Sequence, residues 1–290
     1  MIQARVAKIG GAKIWYSKPT KTYYLLVSLE LEVPALTPNH INRIVGVDVG
    51  QRYIAVAADT RNKTQFFRGK QVRHKASGYC YARKSLQRKG TRSATRRLVA
   101  LSGRERRFIA DTNHCIANQV VTPGTLIGLE NLTQIRERTK PRTKGKKASN
   151  KQRRANSNKA RWSFAELHGF IDYKAVLKGS LAVKVDAHYT SQACPCCGHT
   201  SKENRPNKGL TFVCQPCGYT LHADLVGARN VALRVLLSRQ EWESTGRLSA
   251  VPDASGDETK TDYRLRYSGL RWSQDAIPNF NQVTPHGGAE

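Results

Sequence analysis

Two cysteine pairs constrain this chain more than any other feature. Residues 194–198 read CPCCG and residues 214–218 read CQPCG, so Cys194 and Cys197 form one Cys-x-x-Cys-Gly turn and Cys214 and Cys217 a second, with sixteen residues between them. The x-x spacing brings two sulfurs to one tetrahedral ion, and two such turns at this separation match a four-thiolate structural zinc site. The glycine after each pair permits the tight knuckle backbone. Four thiolates close the coordination sphere, so this zinc does architecture and leaves catalysis to other residues. Cys196 adjoins Cys197 but lacks the x-x spacing and the following glycine; His199 and His222 are alternative donors of weaker claim. Cys80 and Cys115 read as ordinary buried thiols. The odd total of seven cysteines, four of them in metal-type pairs, argues against a secreted disulfide framework.

Charge fixes the class of partner. Lys and Arg number 49 against 21 Asp and Glu, a net +28. Such an excess calls for a polyanion, with nucleic acid the first choice and an anionic membrane surface the second. Residues 238–290 hold six basic and eight acidic residues, so the basic surface belongs to the first 237 positions. No run approaches the roughly 18 apolar residues of a membrane span, and the start, MIQARVAKIG, lacks the apolar stretch of a signal peptide.

The pattern of elements then suggests a fold. Residues 1–33 read as short strands, with a turn at Gly10-Gly11 and a third strand over TYYLLVSLELEV, an antiparallel meander. RIVGVDVG is a continuous apolar run of the kind found in a central strand covered on both faces. YIAVAAD and TQFF follow at hairpin spacing. From about Ser93 to Val121 the apolar positions fall at helical spacing, with Arg96, Arg97, Arg104 and Arg107 off the stripe. Residues 68–107 hold fourteen basic residues and one acid, so these arginines read as a phosphate-facing surface. TLIGLENL is a second buried strand ending in Glu130. Residues 136–161 hold twelve Lys and Arg, among them Lys144, Lys146, Lys147, Arg153 and Arg154, with almost nothing apolar to pack; the segment reads as a mobile basic loop. A helix ending at Gly179, the strand SLAVKVD, the cysteine pairs and a helix from about Asp224 to Leu237 complete the order. Residues 238–290 read as a largely unstructured tail. This order predicts an α/β fold, an RNase H-like mixed sheet with helices on both faces and a four-Cys zinc ribbon inserted before the last helix.

Three acids sit where acids are costly. Asp48 lies inside RIVGVDVG, Glu130 ends LIGLE, and Asp224 opens the last helix. A buried carboxylate needs a partner or a metal. If the two strands are neighbours and the helix crosses them, the three side chains meet, and their hard oxygens suit Mg2+ or Mn2+. Two such ions can activate a water and stabilise the leaving oxygen of a phosphodiester. Taken singly, Asp48 could be a turn residue, Asp224 an N-cap and Glu130 an ion-pair partner.

In order, GVDVGQRYIAVAAD, GLENL and ADLVGARN, with YTSQACPCCG and FVCQPCGY before the last, resemble the three RuvC motifs and inserted zinc ribbon of the TnpB family. These are insertion-sequence-associated, RNA-guided nucleases related to type V CRISPR effectors. The resemblance covers about residues 40–237. It implies a RuvC-like nuclease domain over 40–190 and 221–237, a zinc ribbon over 191–220, and a basic lid over 136–161. Residues 1–36 resemble the last strands of the family's wedge-type barrel, a partial remnant on an N-terminally short chain. The resemblance also implies a metal-dependent DNA endonuclease of a transposable element, cytoplasmic and nucleoid-associated. Its expected partners are a guide RNA from the element's end and a double-stranded DNA target, with a homodimer or a helper protein as further possibilities. Asp48, Glu130 and Asp224 would be its Mg2+ or Mn2+ ligands, leaving 5′-phosphate and 3′-hydroxyl ends. The alternative is a basic zinc-ribbon protein that binds nucleic acid without cutting it.

Overall fold

The structure, a computed structural model, describes residues 7–18, 21–50, 52–132, 164–206, 209–248, 267 and 269–272. Contacts divide the chain into two compact units, Met1–Leu36 with Gln71–Thr112, and Thr37–Lys70 with Asn113–Glu290.

In the first unit, β1 (Ala7–Ser17) and β2 (Thr22–Leu31) form an antiparallel hairpin. The turn expected at Gly10-Gly11 is absent. β1 runs through both glycines, and the register shifts between Ile9 and Ala12. Glycines in a strand mark a bulge as readily as a turn, and here the bulge wins. The described part of the expected meander is therefore two strands. The rings of cross-strand partners Trp15 and Tyr24 lie tilted with centroids 5.5 Å apart, and those of Tyr16 and Tyr23 4.7 Å apart.

Helix α1 (Lys70–Lys89) was not predicted as a helix. None of its residues is fully buried; its half-buried side, Val72, Ala76, Tyr79, Cys80 and Leu86, does follow helical spacing but is thin among so many basic residues. Helix α2 (Arg92–Val120) agrees with the predicted span. Gly90, at φ 64°, breaks the chain between them, and the Thr91 hydroxyl accepts from the Ala94 N–H at 3.2 Å as a helix cap. Glu105 pairs with Arg83 of α1. Lys75 lies 4.1 Å from the Phe108 ring.

The second unit is a mixed five-stranded sheet in the order β5-β4-β3-β6-β7. β3 (Arg43–Asp48), β4 (Tyr53–Asp59) and β5 (Thr64–Arg68) are antiparallel neighbours. β6 (Thr125–Glu130) and β7 (Leu181–Val185) run parallel to β3. β3 and β6 are buried along almost their whole length, as continuous apolar runs require. α3 (Phe164–Leu177) buries Leu167, Ile171 and Ala175 and packs on β6 and β7. No described helix is long and apolar enough to cross a membrane.

One face of this sheet carries α4 (Ala223–Thr245), and glycines set how close it lies. Gly46 of β3 and Gly128 of β6 are register partners. A Cβ on Gly46 would overlap the main chain of Ala228 and Ala232, and one on Gly128 would overlap Val231 and Val235. The helix thus rests directly on the sheet backbone. It runs past the expected end at Leu237, because Trp242 is buried and the left-handed Gly246 supplies the stop, its N–H bonded to the Trp242 carbonyl. Residues 238–245 of the expected tail are therefore helical. Trp272 is also buried, at 1% exposure.

Candidate active site and metal centre

Strand register brings the first two acids together. Gly46 opposes Gly128, and side chains alternate with period two, so Asp48 and Glu130 fall side by side on the face that carries α4. Helix phase supplies the third. Gly227 lies against the Asp48 carboxyl group, where a Cβ would stand 3.0 Å from Cγ and 3.1 Å from Oδ1. Asp224 is three residues earlier on the same helix face. It is not the N-cap: His222 holds that position, and its Nδ1 accepts from the Asp224 N–H at 3.2 Å. Asp224 therefore points from the first helical turn, where the macrodipole favours a carboxylate.

Burial holds the Asp48 carboxyl well above its ordinary range; repulsion from Glu130 and Asp224 adds to this, and Arg205 opposes it. Burial also raises Glu130, with Asp186 adding and Thr190 and Arg234 opposing. The carboxylates crowd one another electrostatically without closing into one ligand sphere. Among the described residues, only the four cysteines gather three or more potential ligand atoms within 4.8 Å of one another.

Side chains that the motif reading did not single out support Glu130. The Thr190 hydroxyl donates to Glu130 Oε1 at 2.7 Å. Asn230 of α4 donates to the Thr190 carbonyl at 2.6 Å and to the Ala193 carbonyl at 2.8 Å. Arg234 donates to the carbonyls of Asp186 and His188, and His188 Nδ1 lies 2.5 Å from Asp186 Oδ1. The turn after β7 is thereby tied to α4 and placed on Glu130. Arg205, from the segment between the cysteine pairs, lies close enough to act on Asp48, and its buried Nε has no hydrogen-bond partner among the described residues. Their spacing is unremarkable, and tertiary contact alone makes them matter.

The four predicted cysteines converge. The Sγ atoms of Cys194 and Cys217 lie 3.7 Å apart, and those of Cys197 and Cys214 3.4 Å apart. A tetrahedron with metal–sulfur bonds of about 2.3 Å has edges of roughly 3.8 Å, so the donor set fits one ion. The two knuckles are near copies. Gly198 and Gly218 have φ of 78° and 67° and donate to Cys194 and Cys214 at 2.8 and 2.9 Å. Burial pushes the Cys214 thiol up to about 11 and raises Cys194 too, so a bound cation would have to displace their protons. Cys196 and His199 stay outside the group. β8 (Thr211–Val213) leads into the second knuckle, and β9 (Thr220–His222), paired with it, leads from the knuckle into α4.

Among the remaining predicted residues, Arg96, Arg97, Arg104 and Arg107 are exposed on α2. Cys115, expected inside, is exposed; the buried stripe passes instead through Ile116, Ala117 and Val120. Lys144, Lys146, Lys147, Arg153 and Arg154 lie outside the described residues.

Residues 164–231 match the family described as Cas12f1-like, TNB domain. The CRISPR-associated endodeoxyribonuclease Cas12f1 of Sulfoacidibacillus thermotolerans is 25% identical over 245 residues, 78% of this chain and 53% of that protein. A TnpB-like protein of Methanocaldococcus jannaschii is 26% identical over 68% of this chain and 70% of its own length. InsQ of Escherichia coli K12, provisionally named an RNA-guided DNA endonuclease, is 40% identical over 84 residues, 28% of this chain and 21% of InsQ. The chain thus spans about half the length of the first of these relatives and less of InsQ. With three motifs and a ribbon in the expected order, and with these matches, the chain is a relative of the TnpB-like and Cas12f proteins.

Proposed function

We propose that this chain is an RNA-guided, metal-dependent DNA endonuclease of the RuvC type. The observation that carries the proposal is that Glu130 and Asp224 lie near enough to act on Asp48, through the β3–β6 register and the seat of α4 on Gly46 and Gly128. The five-stranded mixed sheet with α4 across it is then the RNase H-like domain, 40–190 with 221–237. Residues 191–220 are its zinc ribbon, and β1–β2 correspond to strands of a wedge-type barrel; residues 136–161, expected as a basic lid, lie outside the described residues. The names of the relatives support endonuclease activity on DNA, and that of InsQ supports guidance by RNA.

Mg2+ or Mn2+ bound here would polarise the scissile phosphate and lower the pKa of an attacking water. Three carboxylates on neighbouring elements would supply the hard oxygen ligands that such ions need. Asp48, which both other acids act on, would hold such an ion together with Glu130 and Asp224. Thr190 holds Glu130 in orientation by donating to one oxygen, leaving the other for an ion. Arg205 brings a positive charge to the same cleft, suited to the phosphate. The exposed arginines of α2 would meet the backbone of RNA or DNA.

The test is the purified chain with its bound RNA, a matched DNA duplex and Mg2+, compared with Asp48→Ala. Cutting should disappear in the variant while nucleic-acid binding remains, and undiminished cutting would remove Asp48 from the mechanism. The +28 charge equally serves a second reading, a nucleic-acid binder that does not cut. That reading predicts salt-sensitive binding and no Mg2+-dependent cleavage in either protein.

A further inference from the structure

Tyr267 and residues 269–272 belong to none of the elements described so far, yet they are firmly held. Leu270 is 7% exposed and Trp272 1%. Trp272 joins three separate parts of the second unit. Its backbone N–H donates to the Pro195 carbonyl in the first knuckle at 2.6 Å. Its indole N–H donates to Asn62 Oδ1, in the β4–β5 turn, at 3.2 Å. Its ring lies 4.9 Å from the Arg229 guanidinium on α4. Arg229 in turn donates to the hydroxyl of Tyr219, which packs with Cys194, Cys214 and Phe212 in the ribbon core. Five residues earlier, the Tyr267 ring lies 4.3 Å from the Arg234 guanidinium. Arg234 holds the turn from which Thr190 reaches Glu130.

The two aromatic rings therefore cover the two arginines that tie α4 to its surroundings. A partly desolvated guanidinium gains most from an aromatic face, and a ring in that position restricts where the fork can point. Plain apolar cover would not need three directed contacts from one tryptophan to three elements. We propose that Tyr267 and residues 269–272 form a clamp that locks the cysteine knuckles and the Glu130-supporting turn onto α4, with Trp272 and Tyr267 as its positioning residues. The half that concerns Glu130 rests on the proposed function; the half that concerns the knuckles does not.

Residue-resolved hydrogen exchange on the full chain tests the clamp. In Trp272→Ala the amides of Gly198 and Gly218 should exchange about tenfold faster or more, as local opening becomes easier. Trp272→Phe keeps a ring over Arg229 and should recover most of the protection. Trp272→Ala combined with Arg229→Met should be little worse than either alone, because both remove one contact. Tyr267→Ala should speed exchange at His188 and Ala193 and weaken Mn2+ binding, measured by titration, about threefold or more; Tyr267→Phe should spare both. Should Trp272→Ala not fold, Asn62→Ala carries the test, with exchange at Gly198 about threefold faster. Unchanged exchange at the knuckles in Trp272→Ala or Asn62→Ala overturns the clamp, as do additive effects of Trp272→Ala and Arg229→Met. Exchange is read without cleavage, so cutting that survived Asp48→Ala would remove Asp48 from the mechanism and leave this result standing.

Discussion

Replacing Gly46 with alanine is the sharpest test of how α4 is seated. The added Cβ would overlap the main chain of Ala228 and Ala232, coming within 2.9 Å of the Ala232 Cα, where carbon atoms prefer roughly 3.5–4.0 Å. Neither partner can rotate away. β3 is the middle strand of the sheet, and Ala228 and Ala232 lie in the body of a 23-residue helix. The helix must lift by most of an ångström, taking Asp224 away from Asp48. Overpacking costs roughly 1–3 kcal/mol where side chains can give; against main chain we place Gly46→Ala at about 3 kcal/mol or more, a melting temperature lower by roughly 6–12 °C. Gly128→Ala meets the Val231 and Val235 side chains and should fall within about 1–3 kcal/mol. Gly78→Ala, in α1 with nothing within 4 Å of the added atom, should stabilise by about 0.5–1 kcal/mol. Denaturant midpoints at constant slope give all three values. If Gly46→Ala cost less than about 1 kcal/mol, or no more than Gly128→Ala, the helix would not rest on the sheet backbone as described.

Four further outcomes follow from the site and the core. Millimolar Mg2+ should raise the melting temperature of the native chain by preferential binding, whereas Asp48→Asn should be more stable without Mg2+ and respond less to it; an equal response in calorimetry would exclude Asp48 as a ligand. His168 is buried, and burial, helped by Lys184, lowers it from 6.5 to about 4. The native state therefore takes up its proton less readily than the unfolded chain, so stability present above pH 6.5 is lost as pH falls towards 4, by up to roughly 3 kcal/mol; His168→Leu should flatten that part of a melting curve against pH. Thr190→Val should slow cleavage with little effect on nucleic-acid affinity, separating the support of Glu130 from binding. Cys217→Ser should release the bound metal more readily to a chelator, measurable by metal content after dialysis.

What could be read in advance depended on whether the cause was local. The cysteine pairs were legible because knuckle chemistry needs a fixed short spacing, and all four sulfurs meet. The strands of Asp48 and Glu130 were legible because a doubly covered strand must be apolar throughout, and that pattern made them neighbours. α1 was hidden because its half-buried stripe, Val72, Ala76, Tyr79, Cys80 and Leu86, is thin and set among basic residues that read first as charge. Gly10-Gly11 misled because a bulge and a turn ask the same permissiveness of a residue. Thr190, Arg205 and Arg234 were invisible because their importance is made by tertiary contact. Trp272 was hidden for the same reason: nothing in its neighbourhood announces that it returns to Pro195 and Asn62, 77 and 210 residues away in the chain.

The electrostatics of the site set local against global effects. A chain with net charge +28 should make carboxylates more acidic everywhere, yet Asp48 and Glu130 are shifted the other way. Screening explains which influence prevails. Exposed arginines act through water and salt, whose Debye length is about 8–10 Å. Burial and the repulsion between neighbouring acids act at short range and are screened much less. The exposed basic residues are thus free to bind a polyanion without neutralising the acids, and the acids stay crowded enough to favour a divalent ion. A cation entering the cleft must displace whatever proton Asp48 or Glu130 holds, so ion affinity should rise with pH through the raised carboxyl range. Asp48→Asn, which removes the most crowded charge, should flatten that rise; an affinity for Mn2+ as steeply dependent on pH as in the native chain would mean that the repulsion at Asp48 is not what prepares the site.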